Sequence, residues 1–441
     1  MNAPKPLAVL LSPRLPVVEA ARALGARALV LAPDLSDPGI RRAARAADEA
    51  VAVDWTDHPR LLRTLSDLGA PQARASVFGF AEASALAAAR ANEALRLPGN
   101  PHAAVAYLTD KAALRGKVNQ LTRSPVRYEH CDHAAHLVAI AERVGYPCVA
   151  KPRTGSGGQD VHVLHSAADA AVLAAGLPSE PALIVEEFFA GPEYSVEAHS
   201  RDGEHTVLAI TRKYTAGPPT YAETGYDLPA DLDEESAAAI RELAAVTLTA
   251  AGHRWGPSQT EVILTEDGPR LIESHAHPGA DDISDVLLAA TGTDLAALTI
   301  GTVLGLPVPR PAPGTARYAG VRYPVLPPGR LLAVEGVDEA RALDGVTRVE
   351  ITVPEGGHVP ETTSRVAGHG AVCGVADTPA ELDALLSKAL GLLRPVVVPL
   401  APSGLGRTDG SASPEAPRRA APEAAADTAP DASSKEEQTA A

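Results

Sequence analysis

Acidic residues and histidines over 261–277 have the spacing of a cation site on a β-hairpin. Two apolar runs flank the loop 266–268, a three-residue connection in which glycine supplies the left-handed conformation. If the hairpin is centred on Asp267, Glu261 lies directly opposite Glu273, with the two Cβ atoms about 4.5–5.5 Å apart. Two carboxylates this close repel each other unless one is protonated or a cation lies between them.

The alternation of side chains along a strand places Glu273, His275 and His277 on one face. Oxygen ligands next to phosphate are what Mg²⁺ favours. Imidazole suits zinc, iron or copper, so a transition-metal site built from these three residues is an alternative. A polar, solvent-facing hairpin without any cation is another alternative, and the residues alone leave all three open.

A lysine precedes a glycine-rich turn between two apolar runs. Strands are predicted over 148–151, which ends in Lys151, and over 161–164. The turn between them contains Gly155, Ser156, Gly157 and Gly158. Backbone without β-carbons can approach an anion and direct its N–H groups at phosphate oxygens. A Walker A loop is excluded because the GK[ST] ending is missing, which leaves an anion-binding turn or a plain glycine hairpin.

Acidic and aromatic residues also lie at the end of an apolar strand predicted over 183–188. They are Glu186, Glu187, Phe188, Phe189 and, after a glycine, Glu193. One interpretation is a solvated rim. The other is a strand exit whose backbone binds a flat base while Glu193 accepts hydrogen bonds from ribose hydroxyls.

The elements that must position these residues change character along the chain. Short apolar runs alternate with helical patterns through about residue 100, which predicts a small parallel α/β domain. Strands joined through Asp202-Gly203, a strong hairpin signal, predict an antiparallel second domain. Residues 315–395 are predicted to form a smaller α+β unit. Residues 401–441 lack aromatic residues and are rich in Ala, Pro, Ser, Asp and Glu, which predicts a disordered tail.

Composition limits the classes of function. Of 441 residues, 45% are hydrophobic and 21% charged, so the chain can form packed cores. The net charge of −16 argues against a nucleic-acid partner. No uninterrupted run of about 18 apolar residues occurs, so we expect no membrane span. Three widely spaced cysteines predict free thiols in a reducing cytoplasm. A hydrolase fits poorly because G-x-S-x-G is missing.

The order of these motifs resembles the ATP-grasp superfamily, and within it the carboxylate–amine ligases that include bacterial L-amino-acid (dipeptide) ligases. The resemblance covers about residues 1–395 and is carried by TDK at Lys111, AKPRTGSGG, EEFFAGPE and TEVIL…DGPRLIESHAHPG. It implies an α/β and α+β architecture, the ATP-grasp fold. The implied parts are a Rossmann-like pre-ATP-grasp domain over 1–105, an ATP-grasp domain over 106–310 with a lid over about 115–190, a C-terminal α+β subdomain over 311–400, and the tail.

The resemblance also implies ATP and Mg²⁺ as cofactors, with two ions and with Mn²⁺ as a substitute. Lys111 and Lys151 would hold phosphates, and the loop 155–158 would close over them. The segment 186–189 would be the hinge that binds adenine, and Glu193 would bind ribose. The implied metal ligands are Glu261, Glu273 and His275.

Two positions depart from the Glu-x-Asn-x-Arg pattern that is usual at the last strand. His275 stands where asparagine would offer a carbonyl oxygen, and His277 stands where arginine supports the phosphoryl group or the developing oxyanion. Arginine is a fixed cation, whereas histidine is largely neutral near pH 7. His277, Arg212 and Lys213 are therefore the candidate catalytic residues, with Arg212 and Lys213 as sources of the missing charge.

Two further departures concern the substrate side. Glu223 lies in a segment where relatives carry Glu-x-Gly-His, and Tyr226 replaces the histidine. Arg365, in the third unit, is a candidate contact for a substrate carboxylate, or else a surface arginine.

The expected activity is ATP-dependent ligation of a small carboxylate, such as an amino acid, to an amine through an acyl phosphate. Analogy with antibiotic pathways suggests a place in secondary metabolism, and since relatives are often dimers, a homodimer is left open. Two alternatives stand beside the ligase. One is a non-catalytic ATP-binding homologue, and the other is an ATP-grasp carboxylase of the biotin or purine type.

Overall fold

A computed structural model describes the protein over residues 4–155, 158, 160–217, 222–279, 281–311, 317–360 and 368–399. Ser156, Gly157, Arg365 and the tail predicted over 401–441 lie outside these residues. The chain up to Pro399 forms one compact unit.

The chain begins with a four-stranded parallel sheet whose strand order is β3-β2-β1-β4. Its elements are β1 (Leu7–Leu11), α1 (Leu15–Ala23), β2 (Arg27–Ala32), α2 (Pro38–Ala46), β3 (Glu49–Ala52), α3 (His58–Asp67), β4 (Ala75–Phe78) and α4 (Glu82–Leu95). Apolar clusters cover both faces of this sheet, as expected for parallel strands connected by helices. The predicted parallel α/β character of this region is confirmed.

Two helices lead into an antiparallel sheet of order β5-β8-β6-β7. The elements are α5 (His102–Thr109), α6 (Lys111–Val118), β5 (Tyr128–Cys131), α7 (Leu137–Val144), β6 (Cys148–Pro152), β7 (His162–Leu164), α8 (Ala167–Gly176) and β8 (Leu183–Glu187). Helix α6 begins after Asp110, whose carboxylate accepts the N–H groups of Ala112 and Ala113. This cap fixes where α6 starts, and so where Lys111 lies.

An eight-stranded sheet forms the centre, in the order β13-β12-β9-β10-β11-β14-β18-β16. Its first part contains β9 (Glu193–Arg201), β10 (Glu204–Thr215), β11 (Glu223–Leu228), α9 (Glu234–Ala251), β12 (Trp255–Thr265) and β13 (Gly268–His275). Helix α9 packs its apolar side on one face of this sheet. The opposite face carries the charged residues described below.

The remaining elements extend the central sheet and add a small sheet of order β17-β15-β19. They are α10 (Asp281–Thr291), α11 (Leu295–Leu304), β14 (Tyr318–Arg322), β15 (Gly329–Glu335), α12 (Val337–Arg341), β16 (Val346–Ile351), β17 (His358–Val359), β18 (Gly370–Ala376), α13 (Pro379–Leu392) and β19 (Arg394–Val398). Among the described residues no single helix is long and apolar enough to span a membrane, although one pair, 282–291 with 295–304 and bent by 88°, meets the criteria jointly.

Two hairpin predictions have different outcomes. The turn at Asp202-Gly203 is confirmed, and both residues adopt positive φ angles, 53° and 86°, as a two-residue turn between twisted strands requires. The prediction of a three-residue loop over 266–268 is wrong. Gly268 already pairs with Thr265, so the loop has two residues, Glu266 and Asp267.

Candidate functional site

Glu261 and Glu273 lie opposite each other on β12 and β13, as predicted, although the loop between the strands is shorter than expected. Val262 on β12 lies opposite Leu271 on β13, and the next residue, Glu261, lies opposite Glu273. A β-bulge accounts for the step, because Ile272 has no residue opposite it on β12. The bulge restores the register that the two-residue loop would otherwise have shifted. Both carboxylate side chains are largely buried, with 12% and 13% of their area exposed.

A lysine forms an ion pair with each of these carboxylates. Lys213 Nζ lies 2.7 Å from Glu261 Oε2, and Lys111 Nζ lies 2.8 Å from Glu273 Oε2. Burial raises the pKa of Glu261 above its ordinary value. The nearby carboxylates Glu273 and Glu223 raise this pKa further, whereas Lys213 lowers it. Burial alone would also raise the pKa of Glu273, but His275, Lys111 and Lys151 hold it well below its ordinary value. The pair therefore carries negative charge that a cation can share.

Lys111 also connects the carboxylate pair to the glycine-rich turn. Its Nζ donates to the carbonyl of Gly155, and its backbone N–H donates to the carbonyl of Arg153 at 2.8 Å. Gly155 and Gly158 have φ angles of 111° and 67°, which side chains rarely adopt. The start of α6, the turn after β6 and the end of β13 thus meet at one place.

A second ion-pair cluster surrounds Glu186, which is fully inside the protein. Its carboxylate contacts Lys151 Nζ and Arg115 Nε, each at 2.7 Å. Burial alone would raise the pKa of Glu186, but Arg115 and Lys151 lower it below its ordinary value. Arg115 and Lys151 also donate to the carbonyl of the bulged residue Ile272, at 3.1 and 3.3 Å. The bulge therefore fixes two cations as well as the carboxylate register.

Sequence reasoning missed Arg115, although a signal for it was present. Arg115 lies four residues after Lys111 in α6, so both side chains project from one face of the helix. Arg115 is 1% exposed, and its Nη1 has no hydrogen-bond partner among the described residues. A buried guanidinium nitrogen without a partner is a donor available to an anion.

The segment predicted as the hinge has its acidic side chains already paired. Strand β8 ends at Glu187, whose carboxylate accepts the backbone N–H and Nε of Arg127 at 2.7 and 3.0 Å. The N–H of Phe188 donates to the carbonyl of Pro147. The ring of Phe189 lies 5.6 Å from the guanidinium of Arg270. Recognition of a base by this segment would therefore use backbone atoms and the Phe rings rather than the carboxylates.

Arg212 and Lys213 lie on opposite faces of β10. Lys213 points to the carboxylate face and contacts Glu223 at 2.9 Å as well as Glu261, and these two acids hold its pKa well above its ordinary value despite burial. Arg212 lies over the ring of Tyr194 on the helix α9 face and donates to the carbonyl of Glu193 at 3.2 Å. The structure thus brings Lys213, and not the Arg212 guanidinium, to the carboxylate pair.

Glu223 and Tyr226 complete this end of the site. The Tyr226 hydroxyl donates to Glu223, and Glu223 also accepts from Lys213. Glu193, on the neighbouring strand β9, is directly opposite Lys213. Glu193 therefore lies at the same edge of the carboxylate face as Glu223.

His275 and His277 differ in the direction of their pKa shifts. His275 Nε2 lies 3.3 Å from Glu273 Oε1, and although burial opposes protonation, Glu273 raises the pKa of His275. Burial lowers the pKa of His277 to about 4, and its Nδ1 is 2.6 Å from the carbonyl of Pro278. His277 is therefore uncharged near pH 7 and does not replace the fixed charge of an arginine.

Comparisons with known proteins match two parts of the chain to known families. Residues 144–285 match the ATP-grasp domain, and residues 322–398 match the L-amino acid ligase C-terminal domain 2. The chain is 28% identical to the uncharacterized protein y4rH of Sinorhizobium fredii over 386 residues, 85% of this chain and 78% of that protein. It is 27% identical to carnosine synthase 1 of Gallus gallus over 54% of this chain but only 28% of that protein.

Among solved structures, the L-amino acid ligase from Bacillus licheniformis superposes with a TM-score of 0.76. The sequences are 23% identical, and the superposition covers 90% of this chain and all of that one. These comparisons confirm the predicted fold class and the resemblance on which it was based. The domain boundaries and the roles of individual site residues stay predictions.

Proposed function

We propose that this chain, an ATP-grasp protein with an L-amino acid ligase C-terminal domain, joins a carboxylate to an amine at the expense of ATP. The products would be an amide or dipeptide, ADP and phosphate. One observation carries the proposal: the opposed carboxylates Glu261 and Glu273 lie in a buried network with Lys111 and Lys213, next to the glycine-rich turn. Binding of a triphosphate requires this combination of cations, metal-binding oxygens and open backbone.

The donor set of Glu261 and Glu273 fits Mg²⁺. Both residues offer carboxylate oxygens, and their mutual repulsion, which raises the pKa of Glu261, is relieved by a cation. Bound there, Mg²⁺ would supply positive charge to the triphosphate oxygens. His275 fits this ion less well, because imidazole is a poor ligand for Mg²⁺ and its Nε2 already contacts Glu273.

The lysines would change partners when the nucleotide binds. In the structure, Lys111 and Lys151 are paired with Glu273 and Glu186. With nucleotide, their ammonium groups would contact phosphate oxygens, together with Nη1 of Arg115, which has no partner among the described residues. The positive charge would then already be in place when negative charge spreads over the transferred phosphoryl group.

The chemistry proceeds in two steps. A substrate carboxylate oxygen attacks the γ-phosphorus of ATP, the bond to ADP breaks, and an acyl phosphate forms. The amine then attacks the acyl carbon, loses a proton, and inorganic phosphate leaves. Lys213 lies on the carboxylate face and would stabilise the oxyanion in place of an arginine, since His277 is neutral. The antiparallel sheet that carries Lys151 and the glycine-rich turn would act as a lid that excludes water from the acyl phosphate.

The substrates would be small molecules, an amino acid or other small acid and an amine, and the setting would be secondary metabolism in the cytoplasm. A homodimer is proposed on the same family basis. The C-terminal match to an L-amino acid ligase domain supports amino acids as the first substrates to test.

A ligation screen tests this proposal. The purified chain is incubated with ATP and Mg²⁺, with amino acids paired against one another and against small amines, and products are detected by mass spectrometry. We expect phosphate release only when both an acid and an amine are present. Phosphate release that needs no second substrate would contradict a two-step ligase.

The variant Glu273→Ala, which lacks one of the opposed carboxylates, is tested in the same screen. We expect it to remain folded but to lose turnover. Two outcomes would favour the alternatives instead. ATP binding in calorimetry without turnover across the panel would indicate a non-catalytic homologue, and bicarbonate-dependent ATP cleavage would indicate a carboxylase.

A further inference from the structure

Three buried polar atoms face one another beside the carboxylate pair. They are Glu82 Oε2, His275 Nδ1 and His277 Nε2, and each of the three residues has a possible ligand atom within 4.8 Å of those of the other two. None of them has a hydrogen-bond partner among the described residues. His275 is only 4% exposed, and its Nδ1 lies 3.9 Å from Glu82 Oε2, too far for a hydrogen bond. Buried polar groups are nearly always satisfied, so three orphaned atoms converging on one point indicate a missing partner.

Each imidazole is held on its other nitrogen by an acceptor. Nε2 of His275 lies 3.3 Å from Glu273 Oε1, and Nδ1 of His277 lies 2.6 Å from the carbonyl of Pro278. These contacts place the ring protons on those nitrogens and leave lone pairs on His275 Nδ1 and His277 Nε2. Metal-binding histidines are typically oriented by a carboxylate or a backbone carbonyl in this way.

Packing at the start of α4 brings Glu82 to the two histidines. Glu82 occupies the first turn of α4, in the N-terminal α/β region, whereas the histidines follow β13 of the central sheet. A Cβ on Gly79 would lie 2.1 Å from the carbonyl carbon of Ser84, so only glycine allows the chain before α4 to approach the helix this closely. The site therefore joins two regions that are about 190 residues apart in sequence.

We propose that Glu82, His275 and His277 bind a divalent transition-metal ion of the zinc class. Two imidazole nitrogens and one carboxylate oxygen are a frequent zinc ligand set, which leaves a fourth position for water or a substrate oxygen. Ligands of a tetrahedral zinc ion lie about 3.3 Å apart, so small side-chain rotations from the present separations suffice. This site differs from the pair Glu261 and Glu273, whose oxygen donors suit Mg²⁺.

The ion would have two effects on the neighbouring site. It would place positive charge beside His277, which is itself neutral, and it would tie α4 to the end of β13. Glu273 would serve both sites, one oxygen with Lys111 and the other with His275. Binding of the ion does not depend on the proposed ligase activity, because all the ligands belong to the folded chain.

Cobalt binding to the full chain tests the site without any substrate. The protein is freed of metal with a chelator and titrated with Co²⁺ in excess Mg²⁺ and without ATP, acid or amine. We expect one ion per chain, with visible absorption bands of the intensity typical of four- or five-coordinate cobalt, and displacement of cobalt by Zn²⁺. A chain that shows no such bands under these conditions would overturn the proposal.

Two variants and two matched controls assign the ligands. Glu82→Gln and His277→Gln should each weaken Co²⁺ binding about 100-fold or more, since even the partners of metal ligands contribute 10–100-fold. The controls are Glu93→Gln and His130→Gln. Glu93 lies in the same helix as Glu82 and His130 is exposed on β5, so both variants should bind cobalt as the wild type does. Circular dichroism establishes that each variant is folded. Equal affinity in all four variants would overturn the assignment, and because no turnover is measured, that result would leave the ligase proposal standing.

Discussion

The two faces of strands β9, β10 and β12 differ sharply in chemical character. On one face Tyr194, Val196, Ile210 and Val262 pack in an apolar cluster with helix α9. On the other face the neighbouring residues are charged or polar, and Lys213 and Glu261 lie buried in an ion-pair network. Because side chains alternate along a strand, residues adjacent in sequence, such as Glu261 and Val262, belong to opposite environments.

The difference shows which face favours folding and which opposes it. Burial of apolar side chains stabilises the fold, whereas a buried charge is destabilising unless it is paired. The polar face also contains three buried side-chain atoms that have no hydrogen-bond partner among the described residues. They are Glu197 Oε2, Thr211 Oγ1 and His199 Nε2. Burial raises the pKa of Glu197 to about 7 and lowers that of His199 to about 4. The polar face is thus retained at a cost in stability, which is typical of a functional site.

The largest expected effect lies on the polar face. Lys151→Ala should lower kcat/KM for the ligation by about 10²–10³-fold, because it removes a preorganised cation from the phosphates. The fold should persist, since Glu186 keeps its contact with Arg115. Lys388→Ala, an exposed residue of α13, is the control and should be as active as the wild type. Near-wild-type turnover of Lys151→Ala, measured by phosphate release, would contradict the assignment of function to this face.

A smaller effect, on stability alone, is expected on the apolar face. Val262→Ala should lower the free energy of unfolding by about 1.5–3 kcal/mol, through lost burial and the cavity left behind. Its kcat should change less than about twofold. The variant Glu261→Gln, at the adjacent residue, should show the reverse: turnover is lost and stability is retained. Urea denaturation and the ligation activity are measured for both variants. If both variants lost activity and stability together, the two faces would not be separate in function.

A third effect, on the polar face, depends on pH. The pKa of Glu197 is about 7 in the folded chain against an ordinary value of 4.5, so between these values the folded chain binds more protons than the unfolded chain. Stability contributed at this position is therefore lost as the pH rises from 4.5 to 7. Glu197→Gln should be close to the wild type near pH 4.5 and more stable by about 3 kcal/mol at pH 8, because the pKa rises from 4.5 to about 7.

Glu204→Gln, an exposed position on β10, is the control for this titration and should show no such change. Thermal melts of the two variants and the wild type at pH 4.5, 6 and 8 make the comparison. A stability difference for Glu197→Gln that stays constant with pH would show that Glu197 does not titrate in this range.

Sequence reasoning reached the opposition of Glu261 and Glu273 by an incorrect route. Counting from a three-residue loop predicted the pair, but the loop has two residues, and the bulge at Ile272 restores the register. A bulge depends on how the strand packs against its surroundings, here on Arg115 and Lys151 bonding to the Ile272 carbonyl. No local pattern announces such contacts between residues more than 100 positions apart.

The sequence by itself determined the fold class, the order of the motifs, and the side-chain alternation that aligns Glu273, His275 and His277. The fold class followed from the resemblance that the ordered motifs carry, and the side-chain alternation follows from the period of a strand. Only the tertiary structure decided that Lys213 rather than Arg212 reaches the carboxylates, that Arg115 joins Glu186, and that Glu82 meets the histidines. Those contacts join distant segments, and packing of the whole unit, rather than any local propensity, sets their geometry.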